Sequence, residues 1–482
     1  MAAFDNCHIP NCIFQALTWP PVCPNCHARY CYQHRNHPLH GCWVERQKGV
    51  WRGSTLKASN EPEVTQLFQL LDPDLIKEEI ESLRPGSKVF KIDKRPNSME
   101  SIEAHNGQFN LQIKIDLEDG QSWMMRTRRK AGIRPYPDEP LRMNVQSEVA
   151  TCQVLYHGGV NVPDSIPRPK DSKLIPKLIY CYQRFIEGSP WKDFAPSRPI
   201  PTNQPISGPT KKHIMNIAKW FISLERVEFN LIGSPTFSST STSDSILIVG
   251  PLIERQPAMT IPPYFAGPFS SVKERYLSTI NSRLNACRAR TWVEPPRDVE
   301  MYLALLELGE LVENDEEMGE EGRPFFIRHA DDHWDHTRTQ GEGEVTGVID
   351  WEWAYTTNKA EAFSSPTYFL PDEFYEGKKD VLSPSEHALL EAYNLLGRKD
   401  LAGLVRNARK YQRLTYFLRC MFINVDELNA LKRAFLQIPD EEEEGWPRTE
   451  EEWVEGMLIK WREDGGLKWL VDHPWEELVM PE

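Results

Sequence analysis

The segment that decides the fold lies at residues 325–354 and reads FFIRHADDHWDHTRTQGEGEVTGVIDWEWA. An apolar run ends at His329-Ala-Asp331, and a second strand-like run, Val345 to Asp350, ends in the acidic sequence Asp350-Trp-Glu352. Two carboxylates that each follow a strand can converge on one site across a hairpin. Phosphoryl transfer requires such a pair, because one carboxylate takes the proton of the acceptor hydroxyl while the other holds Mg²⁺ against the phosphates.

Strand patterns precede this segment, and helical patterns surround it. Apolar residues alternate from Phe109 to Ile115, and Asp119-Gly120 supplies a turn before the return strand. Apolar residues at helical spacing predict helices over residues 61–83, 144–157, 271–288, 299–313, 384–396 and 401–422. A strand-rich part followed by a larger helical part predicts an α+β protein with two lobes.

Composition excludes several classes of protein. The chain has 482 residues and a net charge of −14, and no apolar run approaches the roughly 18 residues that a membrane helix needs. The first residues do not form a secretory signal, and the acidic balance argues against non-specific binding to nucleic acid. We therefore expect a cytoplasmic protein, with the nucleus as a second location.

Two blocks hold most of the negative charge. Glu307–Gly322 contains eight acidic residues and no basic one, and residues 440–482 carry fifteen acidic and four basic groups. Runs of like charge are usually solvated, so we expect a solvated loop and a solvated acidic tail. The alternative is a surface that attracts a cationic substrate or a basic partner.

Cysteine spacing at the N-terminus indicates metal binding. Six of the ten cysteines lie within the first 42 residues, together with His34 and His40. Eight such ligands suffice for two tetrahedral Zn²⁺ sites. A secreted disulfide scaffold would not need the histidines. Attachment of a c-type haem at Cys23-Pro-Asn-Cys26-His27 would leave the other ligands without a role.

The eight-ligand pattern over residues 7–42 resembles the AN-one type zinc finger. This resemblance implies a finger at residues 1–45 that holds two structural zinc ions and offers a surface for a protein partner. It implies the following ligand sets: Cys7, Cys12, Cys31 and His34 for one zinc, and Cys23, Cys26, His40 and Cys42 for the other. Residues 46–90 would form a helical linker.

The segment at 325–354 resembles the catalytic and metal loops of the aminoglycoside phosphotransferase-like (choline-kinase-like) branch of the protein-kinase-like fold, and most closely its fungal members. The resemblance extends over about residues 95–420. It implies a bilobal fold with a strand-rich N-lobe at residues 91–188 and a helical C-lobe at residues 189–438, followed by the acidic tail at 439–482.

The resemblance also implies roles for individual residues. Asp331, with His329, would act as the catalytic base, and Asp350 would be the main Mg²⁺ ligand. His336 stands where the family has the asparagine that is a second metal ligand, and imidazole is a poor ligand for Mg²⁺. The predicted nucleotide-binding residues in the N-lobe are Arg126 paired with Glu148, Gly107 in the phosphate-covering loop, and the 183–188 hinge.

Two functions fit this sequence. The first is an ATP- and Mg²⁺-dependent phosphotransferase that acts on a hydroxyl group of a small molecule. The alternative is a catalytically impaired pseudokinase that serves, with its zinc finger, as a scaffold for protein interaction. Retention of Asp331 and Asp350 favours the enzyme, whereas His336 favours the scaffold.

Overall fold

The computed structural model of the protein describes most residues from 63 to 473. The described ranges are 63–93, 107, 109–130, 137–196, 200, 203–238, 246–254, 264–288, 297–320, 322–378, 380–419, 424–437 and 445–473. The predicted zinc finger, its eight ligands and the first part of the predicted linker lie outside these ranges. The finger therefore stays a prediction.

The chain divides into two compact units. The first comprises Met1–Asp119, Arg126–Arg134 and Ser172–Leu178. Its described elements are helical residues 63–70, α1 (Pro73–Leu83), β1 (Val89–Ile92) and β2 (Asn110–Leu117). Strand β3 (Ser122–Arg128) contributes residues to both units. The predicted N-lobe, residues 91–188, is thus divided between the units.

Local sequence explains the elements of the first unit. Asp72 caps α1 by accepting a hydrogen bond from the Asp74 backbone N–H at 2.9 Å, and the helix buries Ile76 and Ile80. Strand β2 alternates in burial and pairs antiparallel with β1. Gly120, with φ of +83°, supplies the left-handed residue that the predicted turn after β2 requires.

The second unit comprises Gly120–Met125, Pro135–Asp171 and Ile179–Glu482. Its strands form antiparallel pairs: β4 (Ser165–Pro167) with β5 (Tyr180–Arg184), β7 (Ser234–Phe237) with β8 (Leu247–Gly250), and β10 (Thr337–Gln340) with β11 (Glu344–Val348). A three-stranded sheet has the order β12 (Tyr355–Thr357), β9 (Phe325–Arg328), β6 (Glu228–Phe229).

Helices make up most of the second unit. In chain order they are α2 (Asp138–His157), α3 (Gly208–Leu224), α4 (Val272–Arg288), α5 (Asp298–Asn314), α6 (Glu316–Gly319), α7 (Lys359–Ala362), α8 (Asp372–Tyr375), α9 (Pro384–Leu395), α10 (Lys399–Asn407), α11 (Arg409–Arg419), α12 (Val425–Leu436), α13 (Glu450–Lys460) and α14 (Gly465–Asp472). One large apolar core contains residues from helices α3, α4 and α5, from strand β9 and from the C-terminal helices. The α+β prediction is confirmed.

The described part of the first acidic block is mostly helical, so the prediction of a loop is wrong. Glu307, Glu310, Asp315 and Glu317 have side-chain partners, whereas Glu313, Glu316 and Glu320 are exposed as predicted. Glu307 is buried on α5 and accepts a hydrogen bond from the Trp453 indole at 2.9 Å. The Lys410 ammonium donates to Asp315 at 2.8 Å and to Glu317 at 2.7 Å. The cationic and indole partners of these carboxylates lie far along the chain, which is why a local count of charges missed them.

The acidic C-terminal segment is also folded where the structure describes it. Helices α13 and α14 pack against α5 and bury Trp453, Leu467 and Leu470. The Tyr302 hydroxyl donates to the Asp464 carboxylate at 3.0 Å. The prediction of a solvated tail is therefore wrong for these two helices. None of the helices in the described part of the chain combines the length and apolar character needed to cross a membrane.

Candidate active site

Strand β9 leads directly into the histidine-rich loop at residues 329–336, which we call the histidine loop. All four residues of β9 are buried, and the strand is central in its sheet. After Arg328 the backbone turns, since the His333 N–H donates to the Asp331 carbonyl at 2.8 Å. The His336 N–H then donates to the His333 carbonyl at 3.1 Å, immediately before β10 begins. A rigid strand thus positions a short, turned loop.

His329 is buried, and the backbone engages both of its ring nitrogens. Its Nε2 lies 3.0 Å from the Ile349 carbonyl, to which it donates, and its Nδ1 accepts from the Asp331 N–H at 3.3 Å. Burial, and after it the neighbouring His336, lowers the pKa of His329 below its usual value of 6.5. The ring packs on Trp351 with centroids 4.7 Å apart. His329 is therefore neutral at pH 7 and ties the histidine loop to the end of β11.

The β10–β11 hairpin returns the chain to the histidine loop. Thr337 pairs with Val348, and the Ile349 N–H donates to the His336 carbonyl at 3.0 Å. Asp350 then adopts a left-handed backbone with φ of 66°, an uncommon conformation for a residue other than glycine. Residues are held in such conformations when the surrounding structure constrains them, often at functional sites.

The His336 side chain contacts the backbone of Asp331 and the carboxylate of Asp350, the two acidic residues that the sequence singles out. Its Nδ1 lies 2.7 Å from the Asp331 carbonyl, to which it donates. Its Nε2 lies 3.6 Å from the Asp350 carboxylate. In a neutral imidazole with Nδ1 protonated, Nε2 carries the lone pair. That lone pair and the Asp350 oxygen can therefore share a cation.

Further titratable groups extend this arrangement towards solvent. The His333 ring lies 3.9 Å from the Asp331 carboxylate and 4.0 Å from the Asp335 carboxylate. His336 Nε2 lies 4.0 Å from Asp335 as well. Asp335 had no predicted role, although it directly precedes His336 in the sequence. Three carboxylates and two imidazoles thus lie in one continuous series.

Asp332 anchors the histidine loop to Thr367, a role that was not predicted from the sequence. Its carboxylate accepts from the Thr367 backbone N–H at 3.0 Å and from the Thr367 hydroxyl at 2.7 Å. The Arg328 guanidinium lies 3.3 Å from the same carboxylate. Arg328 in turn donates to the Glu361 carbonyl at 2.8 Å and to Ser364 at 2.6 Å. This network fixes the backbone that carries Asp331.

Two of the predicted nucleotide-binding residues already form hydrogen bonds within the protein. Glu148 is buried on α2 and accepts from the Gln183 side chain at 2.9 Å. Arg126 is buried on β3 in the other unit, so its pairing with Glu148 stays a prediction. The Gly107 N–H donates to the Asn110 carbonyl at 2.9 Å and is not free to bind a phosphate.

The predicted hinge ends at a position that requires glycine. Gly188 has φ of +121°, and a Cβ added there would lie 2.6 Å from the Thr339 carbonyl oxygen. The next residue, Ser189, bridges to Thr339 in β10 through two backbone hydrogen bonds of 3.0 Å each. The segment after β5 is thereby held against the hairpin that leads to Asp350.

Candidate metal ligands in the described ranges are limited. No group of three or more His, Cys, Asp or Glu side chains there has the arrangement of a metal site. His336 and Asp350 form a pair. Magnesium at phosphate-transfer sites is commonly held by one or two protein ligands, the remaining positions being taken by water and substrate phosphates. The pair fits such a cation, although the nitrogen ligand suits Mn²⁺ better than Mg²⁺.

Comparison with known proteins finds solved structures only. No family model matches the chain, and no curated protein matches it. The chain is similar to macrolide 2'-phosphotransferase type I, with 14% identity over 76% of this chain and 97% of that one, at a TM-score of 0.34. It is similar to the macrolide 2'-phosphotransferase of Brachybacterium faecium, with 15% identity over 77% and 100% of the two chains and a TM-score of 0.34.

A Plasmodium vivax ethanolamine kinase is also similar, with 12% identity over 70% of this chain and 82% of that one, at a TM-score of 0.40. These solved structures are small-molecule phosphotransferases.

Proposed function

We propose that the protein is an ATP- and divalent-cation-dependent phosphotransferase that acts on a hydroxyl group of a small molecule. The observation that carries this proposal is the arrangement of Asp331, His336 and Asp350 around the base of the β10–β11 hairpin. The strained backbone of Asp350 and the two hydrogen bonds that fix the His329 ring support it.

The chemistry assigns each side chain a task. Asp331, whose carboxylate is about half exposed at 47%, accepts the proton of the acceptor hydroxyl. The hydroxyl oxygen bonds to the γ-phosphorus of ATP as the bond from that phosphorus to the β-phosphate oxygen breaks, and ADP leaves. His329 positions Asp331 by accepting a hydrogen bond from the Asp331 backbone N–H. A bound cation would neutralise charge on the phosphates, and Asp350 and His336 would hold it. Arg126 and Glu148 remain the proposed phosphate-binding pair.

The choice of metal tests this assignment. Because Nε2 of His336 is a borderline ligand, Mn²⁺ should support ATP binding more strongly than Mg²⁺. His336→Asn replaces the imidazole nitrogen with an amide oxygen and should reverse that preference. The measurement is calorimetric titration of ATP in each metal. If the native protein and His336→Asn show the same metal preference, His336 does not bind the metal.

We further propose that residues 1–45 bind two structural zinc ions through the eight ligands predicted above. Metal analysis of the purified chain should give two zinc ions, and Cys23→Ser should leave one. The scaffold function relies on this finger for a partner-binding surface. ATP turnover by a Cys23→Ser variant would show that phosphoryl transfer does not depend on an intact finger, because the proposed transfer site contains no residue of the finger.

A further inference from the structure

Arg419 contacts the histidine loop but has no role in the transfer proposed above. It is the last residue of α11, and its guanidinium donates a hydrogen bond to the Ala330 carbonyl. The same helix is tied to the segment below the loop, because the Gln412 side chain donates to the Ser365 carbonyl at 3.0 Å. A packed helix therefore places a cation on the residue that precedes Asp331.

The peptide group between Ala330 and Asp331 is bound at both ends. Its N–H, which belongs to Asp331, donates to His329 Nδ1 at 3.3 Å, and its carbonyl accepts from Arg419. The N–H and C=O of a trans peptide point in opposite directions. His329 is buried and Arg419 is exposed, so Arg419 lies on the solvent side of the backbone that carries Asp331. An acceptor molecule that arrives from solvent therefore meets this guanidinium.

The Arg419 guanidinium has donors to spare for a ligand. A guanidinium carries five N–H donors in a planar fork. Among the described residues, Arg419 has one hydrogen bond, to Ala330, and no carboxylate partner. Arg328 differs, since it is buried and its guanidinium lies 3.3 Å from the Asp332 carboxylate. Arg419 thus presents an uncompensated positive charge close to Asp331.

We propose that Arg419 binds an anionic group of the acceptor molecule. The substrate class is then a hydroxy acid whose carboxylate lies close to the reacting hydroxyl. Such a molecule is repelled by the Asp331 carboxylate, and a neighbouring cation offsets that repulsion. The guanidinium fork also matches the two oxygens of a carboxylate. This assignment to the acceptor rests on the proposed phosphotransferase function, whereas anion binding at Arg419 does not.

The γ-phosphate of ATP is a second anion to consider, and the contacts of the histidine loop favour the acceptor. His336, which with Asp350 forms the proposed metal pair, donates to the Asp331 carbonyl. Arg419 donates to the Ala330 carbonyl instead. The phosphates of ATP accompany the metal. Arg419 is therefore assigned to the other reactant.

A matched pair of compounds tests for anion binding in the full chain. 3-Hydroxybutyrate and butane-1,3-diol share a carbon chain and a secondary hydroxyl, and they differ in a carboxylate against a hydroxymethyl group. Saturation-transfer NMR measures their dissociation constants with and without ATP and Mg²⁺. 3-Hydroxybutyrate should bind at least tenfold more tightly than the diol. Equal binding of the two compounds overturns the proposal.

Three variants assign that preference to one side chain. Arg419→Gln removes the charge but keeps an N–H donor for the Ala330 carbonyl, so 3-hydroxybutyrate should bind no more tightly than the diol. Arg419→Lys keeps the charge without the fork and should restore part of the preference. Arg406→Gln changes another exposed arginine, on α10, and should retain all of it. An unchanged preference in Arg419→Gln overturns the proposal.

The affinity for ATP separates the two reactants. Arg419→Gln should leave the dissociation constant of ATP with Mg²⁺ within twofold of the native value. Weaker ATP binding together with an unchanged preference for 3-hydroxybutyrate would assign Arg419 to the γ-phosphate and contradict the proposal. Failure of the native chain to bind ATP refutes the phosphotransferase function instead. The preference measured without ATP is unaffected by that failure.

Discussion

Replacing Asp332 with alanine should destabilise the protein and loosen the histidine loop. The carboxylate of Asp332 has three partners: the Thr367 N–H at 3.0 Å, the Thr367 hydroxyl at 2.7 Å and the Arg328 guanidinium at 3.3 Å. Alanine removes the acceptor for all three. The Thr367 N–H and the Arg328 charge would then be left without their present partner in a poorly solvated position.

The size of the effect follows from these contacts. A hydrogen bond to a charged group contributes about 1.5–3 kcal/mol, and loss of one partner of a buried ion pair costs about 3–5 kcal/mol. Arg328 keeps the Glu361 carbonyl and Ser364, so the cost lies at the lower end of that range. We expect a loss of about 3 kcal/mol in the free energy of unfolding. Asp332→Asn keeps an acceptor for Thr367 and should lose less.

Urea unfolding of the full chain, followed by tryptophan fluorescence, measures this loss. Asp171→Ala is a matched control, because Asp171 is exposed in the same unit. ATP affinity of the folded Asp332→Ala variant should also fall, since the displaced loop carries Asp331 and His336. A change in unfolding free energy within about 0.5 kcal/mol of the control would refute the anchoring role of Asp332.

Two further changes test other parts of the structure. Trp453→Ala removes a buried side chain and leaves Glu307 without its indole donor. We expect the free energy of unfolding in urea to fall by about 3–5 kcal/mol. A near-neutral result would mean that α13 does not pack against α5. Burial raises the pKa of Glu300 from 4.5 to about 7, so the folded protein holds a proton that the unfolded chain releases, and stability falls as pH rises from about 4.5 to 7. Glu300→Gln should therefore raise the melting temperature at pH 8 more than at pH 5, and an equal effect at both would contradict the raised pKa.

Much of the fold follows from local patterns. The predicted helix over 271–288 is observed as Val272–Arg288, and that over 299–313 as Asp298–Asn314. Both were predictable because their apolar residues recur at helical spacing in the sequence and so lie on one face. The single helix predicted over 401–422 is instead two helices, α10 and α11, that meet at Ala408. Apolar spacing continues through this junction and does not reveal the break.

The two strands that precede the acidic residues were predictable from the site sequence, but their pairing and the surroundings of the acidic residues were not. The two predicted runs are β9 and β11, which lie in different sheets: β9 pairs with β12 and β6, whereas β11 forms its hairpin with β10. In contrast, Asp332 is bound by Thr367, and Glu307 is bound by Trp453, which lies 146 residues away. Such partners are set by packing between distant elements. A charge count along the chain therefore predicts solvation where the structure has burial.

The most direct test of the phosphotransferase site is nucleotide-dependent stabilisation of the full chain. ATP with Mn²⁺ at about a hundred times its dissociation constant should add about 2.7 kcal/mol and raise the melting temperature by a few degrees. Asp350→Ala should abolish this rise, while Asp171→Ala should retain it. A melting temperature that does not change with millimolar ATP and metal, or an equal rise in Asp350→Ala, would contradict the assignment of this site.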